Sequence, residues 1–194
     1  MCRCFTDICR QIDRLLEEKE IVRVAIDGCC TAGKTTLAAE LEKHYCCNVF
    51  HMDEFFLQGF QRTPERLAEA GGNVDYERFL QEVLLPLSRG EQVRYRPYDC
   101  RSQALKEPVT LPRKPLAVIE GTYSCHPFFG DRYDLRIFLS VSPETQRQRV
   151  LQRPAFKHRR FFEEWIPMEK TYFDTFRIRE HCGIVCAEQE ETWN

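Results

Sequence analysis

Short apolar runs alternate with amphipathic stretches along the chain. Runs rich in β-branched residues at 21–27, 115–121 and 136–141 predict buried strands, and further strands are expected from residue 49 and at 183–187. The stretches between them place apolar residues three or four positions apart, which predicts helices. Because strands and helices alternate, with crossovers long enough for parallel pairing, the pattern predicts an α/β fold with a doubly wound parallel sheet.

Helical spacing is clearest at the N-terminus. Residues 1–20 predict an amphipathic helix that packs beside the first strand. Further helices are expected from Thr35 and over 75–87, where apolar residues recur and no glycine intervenes. The apolar face of the first helix comprises Phe5, Ile8, Ile12, Leu15 and Leu16.

The C-terminal third predicts two helices joined by a lid. Ser142 provides a cap residue and Pro143 the first helical position of one helix, which Pro154 terminates. A second helical stretch follows over 156–182, with an interruption expected near Pro167. We assign residues 147–162 to the lid region.

Residues 57–110 read as an insertion on the substrate side of the sheet. The pattern dissolves over 57–72, which predicts a mobile loop or a small helical flap. The stretches around 92–100 and 109–115 predict short edge strands or a hairpin, because their prolines cannot donate to a central ladder. With this insertion and the lid, residues 1–194 form one domain.

A glycine loop joins the first predicted strand to the second predicted helix. Residues 28–35, GCCTAGKT, fit the phosphate-binding pattern GxxxxGK[ST]. Backbone N–H groups of such a loop and of the following helix N-terminus converge on phosphate oxygens. Lys34 is predicted to reach the β and γ phosphates, Thr35 to ligate Mg²⁺ and Thr36 to bond on the α-phosphate side. The predicted nucleotide-binding residues are Gly28, Cys29, Cys30, Thr31, Ala32, Gly33, Lys34, Thr35, Thr36 and Arg149.

Two acids follow predicted strands at the same edge of the sheet. Asp53 is placed to face the γ phosphate, where a carboxylate accepts the proton of an attacking hydroxyl or contributes to a metal site. Glu120 ends an apolar strand in the manner of an acid that orients Mg²⁺. A strand-end cap for Asp53 and a purely structural role for Glu120 remain the alternatives.

Arginines are concentrated in the predicted lid. Arg149 and Arg153 share a helical face by their spacing of four residues. An arginine delivered by a closing lid stabilises the charge that develops during phosphoryl transfer. The alternative is a solvated basic helix face.

Composition indicates the expected compartment of the protein and which classes of partner it does not attract. The chain is 43% hydrophobic and 30% charged, with a net charge of -2, which gives no general attraction to nucleic acid or to anionic membranes. No apolar run is long enough for a signal peptide or a membrane span, so the cytoplasm is the expected compartment. The 11 cysteines are expected to be reduced, and a thiolate at Cys29 or Cys30 could be stabilised near the helix N-terminus. Homo-oligomerisation is left open.

Motifs in a fixed order resemble the uridine kinase and phosphoribulokinase group of P-loop kinases, and most closely the bacterial uridine kinase-like proteins. The likeness runs from about Ile21 to Val185. Beside the loop at 28–36 it rests on MDEFF at 52–56, NVDYERF at 73–79, PYD at 97–99, IEG at 119–121 and the arginines around Arg149 and Arg153. Two departures are visible. Gln103 lies near the place of a pyrimidine-reading histidine, and the lid reads RPAFKHRR rather than Arg-Gly-Arg.

The resemblance implies a kinase that uses ATP and Mg²⁺ on a small molecule. Asp53 would then be the general base, Asp75 and Tyr98 would contact the acceptor, and Arg153 would act from the lid. Phe55, which follows Asp53, is placed to wall the acceptor pocket. The expected acceptor is a nucleoside of the uridine or cytidine type. Alternatives are another alcohol, such as nicotinamide riboside or pantothenate, and a nucleotide-dependent switch protein that phosphorylates no small molecule.

Overall fold

The described part of the chain contains nine strands and eight α-helical segments. A computed structural model describes residues 3–187. The strands are β1 (Val22–Gly28), β2 (Cys47–His51), β3 (Val93–Tyr95), β4 (Tyr98–Asp99), β5 (Ala104–Leu105), β6 (Val109–Leu111), β7 (Leu116–Glu120), β8 (Leu135–Ser140) and β9 (Ile184–Ala187). The helices are α1 (Arg3–Glu18), α2 (Lys34–His44), α3 (Pro64–Ala68), α4 (Tyr76–Phe79), α5 (Leu85–Ser88), α6 (Pro143–Leu151), α7 (His158–Arg160) and α8 (Ile166–Phe176).

Five of the strands form one parallel sheet. Their order is β2-β7-β1-β8-β9, so β1 lies at the centre. Val24 of β1 pairs with Val118 of β7 on one side and with Leu135 of β8 on the other. The prediction of a doubly wound parallel sheet is therefore confirmed. The carboxyl ends of β1, β2 and β7 meet at one edge, where ligands bind in sheets of this kind.

Alternation along β1 separates two apolar layers. Ala25 contributes to the layer that contains Phe50 and Phe138, whereas Val24 and Ile26 contribute to the layer on the opposite face. Helices α1 and α2 cover that second face, as the spacing of their apolar residues predicts. Their fully buried side chains are Ile8, Ile12, Leu37 and Leu41.

A disulfide ties helix α1 to the edge of the sheet. Cys4 is bonded to Cys186 of β9, with 6.3 Å between their Cα atoms. The expectation of reduced thiols throughout the chain is therefore wrong for this pair. The two cysteines are 182 positions apart in the sequence but meet at the sheet edge in the fold, and sequence spacing does not reveal this.

The helical stretch at the C-terminal end continues through Pro167. Helix α7 passes through a π-helical segment, Phe161–Trp165, directly into α8, in which Pro167 occupies the first turn. The predicted interruption is therefore wrong. A π segment, Leu80–Leu84, also precedes Pro86 at the start of α5. Each proline follows the start of its π segment by six residues, and the wider turn accommodates the ring and the missing N–H.

The insertion on the substrate side is folded. Residues 57–72 contain α3, which Arg66 ties to the chain that follows through bonds to the Gly72 and Val74 carbonyls and to Glu77. The predicted edge strands are present as two antiparallel pairs, β3 with β6 and β4 with β5. Among residues 3–187, no helix has the length and apolar character needed to cross a membrane.

Candidate active site

The loop between β1 and α2 depends on two glycines. Gly28 has φ of 133°, and a Cβ there would collide with the Leu139 carbonyl of β8. Gly33 has φ of 94° and precedes the first residue of α2. Both conformations are accessible to glycine and strained for other residues. The loop can therefore turn tightly against the sheet and direct its backbone towards the helix N-terminus.

Lys34 folds back across this loop. Its Nζ atom donates to the carbonyl oxygens of Gly28 at 2.7 Å and Cys29 at 2.8 Å, and the residue is 8% exposed. These contacts hold a positive charge inside the loop, and among residues 3–187 its hydrogen-bond partners are these two carbonyl oxygens. A concavity with backbone N–H groups and a buried ammonium group is suited to a polyphosphate.

Asp27 supports the loop from below. This fully buried carboxylate accepts bonds from the backbone N–H groups of Gly28, Tyr123 and Cys125 and from the Tyr172 hydroxyl at 2.8 Å. Burial raises the pKa of Asp27, although these bonds oppose the rise. In the sequence, Asp27 is predicted only as part of the first strand. Its one visible signal is a charged residue at the end of an otherwise apolar run.

A cavity of about 380 Å³ opens beside the loop at the carboxyl ends of β2 and β7. It unites the first turn of α2 with the strand ends and with strand β4 of the insertion. All three residues predicted as metal ligands, Thr35, Asp53 and Glu120, lie in its wall. The lining residues are Thr35, His51, Asp53, Glu54, Tyr98, Cys100 and Glu120.

Glu120 is the centre of a bonded network in the cavity floor. The Thr35 hydroxyl donates to its Oε1 atom at 3.2 Å, and the His51 Nδ1 atom lies 2.6 Å from the same oxygen. Glu120 is 5% exposed. Its hydrogen bond and negative charge raise the pKa of His51, against the effect of burial. His51 received no role from the sequence, where the only signal was its position two residues before Asp53.

Asp53 lies on the short 3₁₀ turn that follows β2. Desolvation in the cavity wall, followed by the negative charge of Glu120, raises the pKa of Asp53, and the positive charge of His51 opposes the rise. The raised pKa gives the carboxylate a greater affinity for a proton. A carboxylate in this position, beside the loop and open to the cavity, can accept the proton of a bound hydroxyl.

The structure separates the three predicted acceptor-binding residues. Tyr98 lines the cavity. Phe55 is fully buried, stacked on Tyr95 with ring centroids 5.3 Å apart, and is not among the lining residues. Asp75 is also absent from the wall, because it caps α4 through the Arg78 N–H and accepts a bond from the Gln61 side chain.

The two predicted lid arginines differ in their surroundings. Arg149 donates from Nη1 to the Thr31 carbonyl of the loop at 3.0 Å, so it reaches the predicted nucleotide site. Arg153 is exposed beyond the end of α6, and its carbonyl lies 2.6 Å from the His158 ring. Arg153 therefore stands outside the cavity wall in this conformation.

The surroundings of the two loop thiols favour their protonated form. Burial, followed by the charge of Glu169, raises the pKa of Cys30 to about 12. The same two causes raise the pKa of Cys29. The expected thiolate near the helix N-terminus is therefore wrong, because a neighbouring carboxylate and desolvation outweigh the helix dipole.

The donor set fits a magnesium nucleotide. Thr35, Asp53 and Glu120 offer oxygen ligands, which Mg²⁺ prefers, and the loop offers N–H groups and Lys34 to phosphates. Within residues 3–187, no group of three His, Cys, Asp or Glu side chains is arranged to hold a metal alone. This arrangement suits Mg²⁺, which is commonly bound by one or two carboxylates together with substrate phosphates.

Solved structures of kinases share this architecture over most of the chain. A protein from Bacillus stearothermophilus described as a possible uridine kinase has a TM-score of 0.65 at 19% identity, over 92% of this chain and 98% of that one. D-glycerate 3-kinase from Cryptococcus neoformans has a TM-score of 0.70 at 13% identity, over 99% of this chain and 98% of that one. Phosphoribulokinase from Rhodobacter spheroides has a TM-score of 0.57 at 12% identity, over 87% of this chain and 70% of that one. The chain shares the fold of these proteins.

This result confirms, at the level of the fold, the resemblance drawn from the motifs. The three neighbours carry different acceptors in their names, namely uridine, glycerate and ribulose phosphate. No family model and no curated protein sequence matches the chain. These neighbours therefore share their fold with this chain and differ in the acceptors that their names give.

Proposed function

We propose that this protein is an ATP- and Mg²⁺-dependent kinase that transfers the γ-phosphoryl group to a hydroxyl of a small, nucleoside-like acceptor. The observation that carries the proposal is the shared cavity. It joins Thr35 of the phosphate loop helix to Asp53 and Glu120 at two strand ends. Phosphoryl transfer needs such a combination, because catalysis depends on positioning and on charge stabilisation.

Each group in the cavity would have its own role in the proposed reaction. The Asp53 carboxylate takes the proton of the acceptor hydroxyl, an oxygen–phosphorus bond forms, and the bond between the β and γ phosphates breaks to release ADP. Lys34 and the loop N–H groups hold the phosphate chain. Bound Mg²⁺ would neutralise charge on the phosphate oxygens, with Thr35 and Glu120 as its protein contacts.

The acceptor would lie between Asp53 and the insertion. Tyr98 supplies a rigid aromatic wall with a polar end, which suits a ring that carries hydroxyl groups. Arg153 would enter when the lid closes, and Arg149 would act from the loop side. The aromatic wall of Tyr98, together with the motif resemblance, supports a nucleoside of the uridine or cytidine type as the proposed acceptor.

A panel of alcohols tests the proposal. The purified protein is incubated with ATP, Mg²⁺ and either uridine, cytidine, nicotinamide riboside or pantothenate, and mass spectrometry detects an added phosphoryl group. Phosphorylated uridine or cytidine is the expected result, and the Lys34→Ala variant should lose on the order of 100-fold or more in rate. Phosphorylation of another alcohol, and not of uridine or cytidine, would identify that alcohol as the acceptor instead. Nucleotide binding with no phosphorylated product would favour a switch protein instead.

A further inference from the structure

Cys30 of the phosphate loop is held by side chains from two different helices. Its backbone N–H donates to Oε2 of Glu169, on α8, at 2.9 Å. Nε2 of Gln146, on α6, lies 3.4 Å from the Cys30 carbonyl oxygen and 3.2 Å from its sulfur. The same Nε2 atom donates to Oε1 of Glu169 at 2.7 Å. All the polar groups of this loop residue therefore contact Gln146 or Glu169.

Glu169 is a buried charged group that the proposed reaction does not use. It is 4% exposed, and its two carboxylate oxygens accept from Cys30 and Gln146. Desolvation raises its pKa, and the charge of Lys34 opposes the rise. Burial of a carboxylate is unfavourable unless its bonds compensate, so this position is specified by the loop rather than by core packing.

The helices that hold Cys30 are also the two ends of the lid. The lid region, 147–162, begins within α6 and ends shortly before α8. The neighbouring loop residue, Thr31, is held by Arg149 of α6 in the same way. Between the two helices, the lid exposes 81% of Phe156. The helices at both ends of an exposed lid are thus bonded to Cys30, and α6 is also bonded to the next loop residue, Thr31.

We propose that Glu169 and Gln146 are positioning residues that couple occupancy of the phosphate loop to the position of the lid through Cys30. A phosphate chain that draws the loop inwards displaces Cys30, and the displacement is transmitted to α8 by Glu169 and to α6 by Gln146. Both ends of the lid then move together, because Glu169 and Gln146 link them to the same residue, Cys30. This inference rests on the proposed function, because it requires a nucleotide in the loop.

Trp165 provides a readout of the lid that does not depend on an acceptor. It lies in the π segment beside the lid, one turn before Glu169, and packs on Phe161 with ring centroids 4.5 Å apart. The chain has two tryptophans, so Trp193→Phe leaves Trp165 as the only one. Emission of Trp165 is recorded while ADP or a non-hydrolysable ATP analogue is added with Mg²⁺, and calorimetry gives the nucleotide dissociation constant.

In this background, nucleotide should change the Trp165 emission. The Glu169→Gln variant should still bind nucleotide, with a dissociation constant within about 10-fold of the parent, and should lose the emission change. Gln146→Ala removes the donor to Oε1 of Glu169, so it should weaken the emission change, and it decides the question if Glu169→Gln does not fold. Glu163→Gln, in the same π segment but exposed and paired with Arg159, should keep the full change.

Three results separate the inference from the proposed function. If the parent binds nucleotide without any change in Trp165 emission, the coupling is absent. If Glu169→Gln and Gln146→Ala keep the parental change, the coupling does not pass through Cys30. If the parent does not bind nucleotide by calorimetry, the proposed function itself fails, and the inference fails with it.

Discussion

The Thr35 hydroxyl oxygen lies 3.2 Å from Oε1 of Glu120, so the first turn of α2 is bonded to the end of β7. Both groups offer oxygen to a metal that also binds the nucleotide phosphates. Glu120→Gln should therefore raise the Mg²⁺ concentration at half-maximal nucleotide binding by about 10- to 100-fold. Calorimetric titrations of nucleotide at several Mg²⁺ concentrations measure this shift.

Glu54→Gln is the matched control for Glu120→Gln. Glu54 lines the same cavity, but its Oε2 atom accepts a bond from the Tyr95 hydroxyl at 2.8 Å. The Mg²⁺ requirement should be unchanged in this variant. An equal shift in both variants would mean that general loss of negative charge, and not a specific contact, sets the affinity for Mg²⁺.

The bond from Tyr172 to Asp27 predicts a stability effect. Tyr172→Phe leaves a buried carboxylate with one donor fewer, and hydrogen bonds to charged groups contribute about 1.5–3 kcal/mol. We expect the free energy of unfolding in urea to fall by that amount. Tyr133→Phe is the control, because the buried Tyr133 hydroxyl has no hydrogen-bond partner in the described part of the chain. A comparable loss in both variants would contradict the role of Asp27.

Asp134 predicts how stability depends on pH. Burial opposes its ionisation, but bonds from Lys19 at 2.7 Å and from the Arg23 N–H at 2.7 Å outweigh burial and lower the pKa. A carboxyl group with a lowered pKa stabilises the fold above its unfolded value of about 3.9, and this stabilisation is lost as pH falls through the folded value. Asp134→Asn should therefore be less stable than the parent at pH 7, by about 1.5–3 kcal/mol.

The difference between Asp134→Asn and the parent should shrink on acidification below pH of about 4. Urea unfolding at a series of pH values measures it. Asp131→Asn serves as the control, since Asp131 is fully exposed and lies 3.7 Å from Arg136. A difference for Asp134→Asn that stays constant with pH would show that shape, and not charge, explains the loss.

Local pattern was sufficient for the sheet and the loop. Buried runs around Val24 and Val118 identify central strands, because only a strand covered on both faces is continuously apolar. The spacing of Gly28, Gly33 and Lys34 identifies the loop, since its backbone needs these residues for steric and electrostatic reasons. The positions of Asp53 and Glu120 follow from the rule that ligands bind beyond strand ends.

The sequence pattern could not predict contacts between residues far apart in the chain, or a proline that a helix accommodates. Glu169 meets Cys30 across 139 positions, and Tyr172 meets Asp27 across 145, so no local spacing reveals either contact. Pro167 indicates a helix break by its chemistry, yet a preceding π segment removes the conflict. The bond by which Asp75 caps α4 was also not visible in the motif, and its contact with an acceptor stays a prediction.

Asp53→Asn tests the central claim most directly. The variant keeps the shape of the side chain and removes its ability to accept a proton, and general base catalysis contributes about 10²- to 10⁴-fold. With the alcohol that the panel identifies, single-turnover phosphoryl transfer should slow by that factor while calorimetry shows unchanged ATP binding. Transfer at the parental rate by Asp53→Asn would contradict the account.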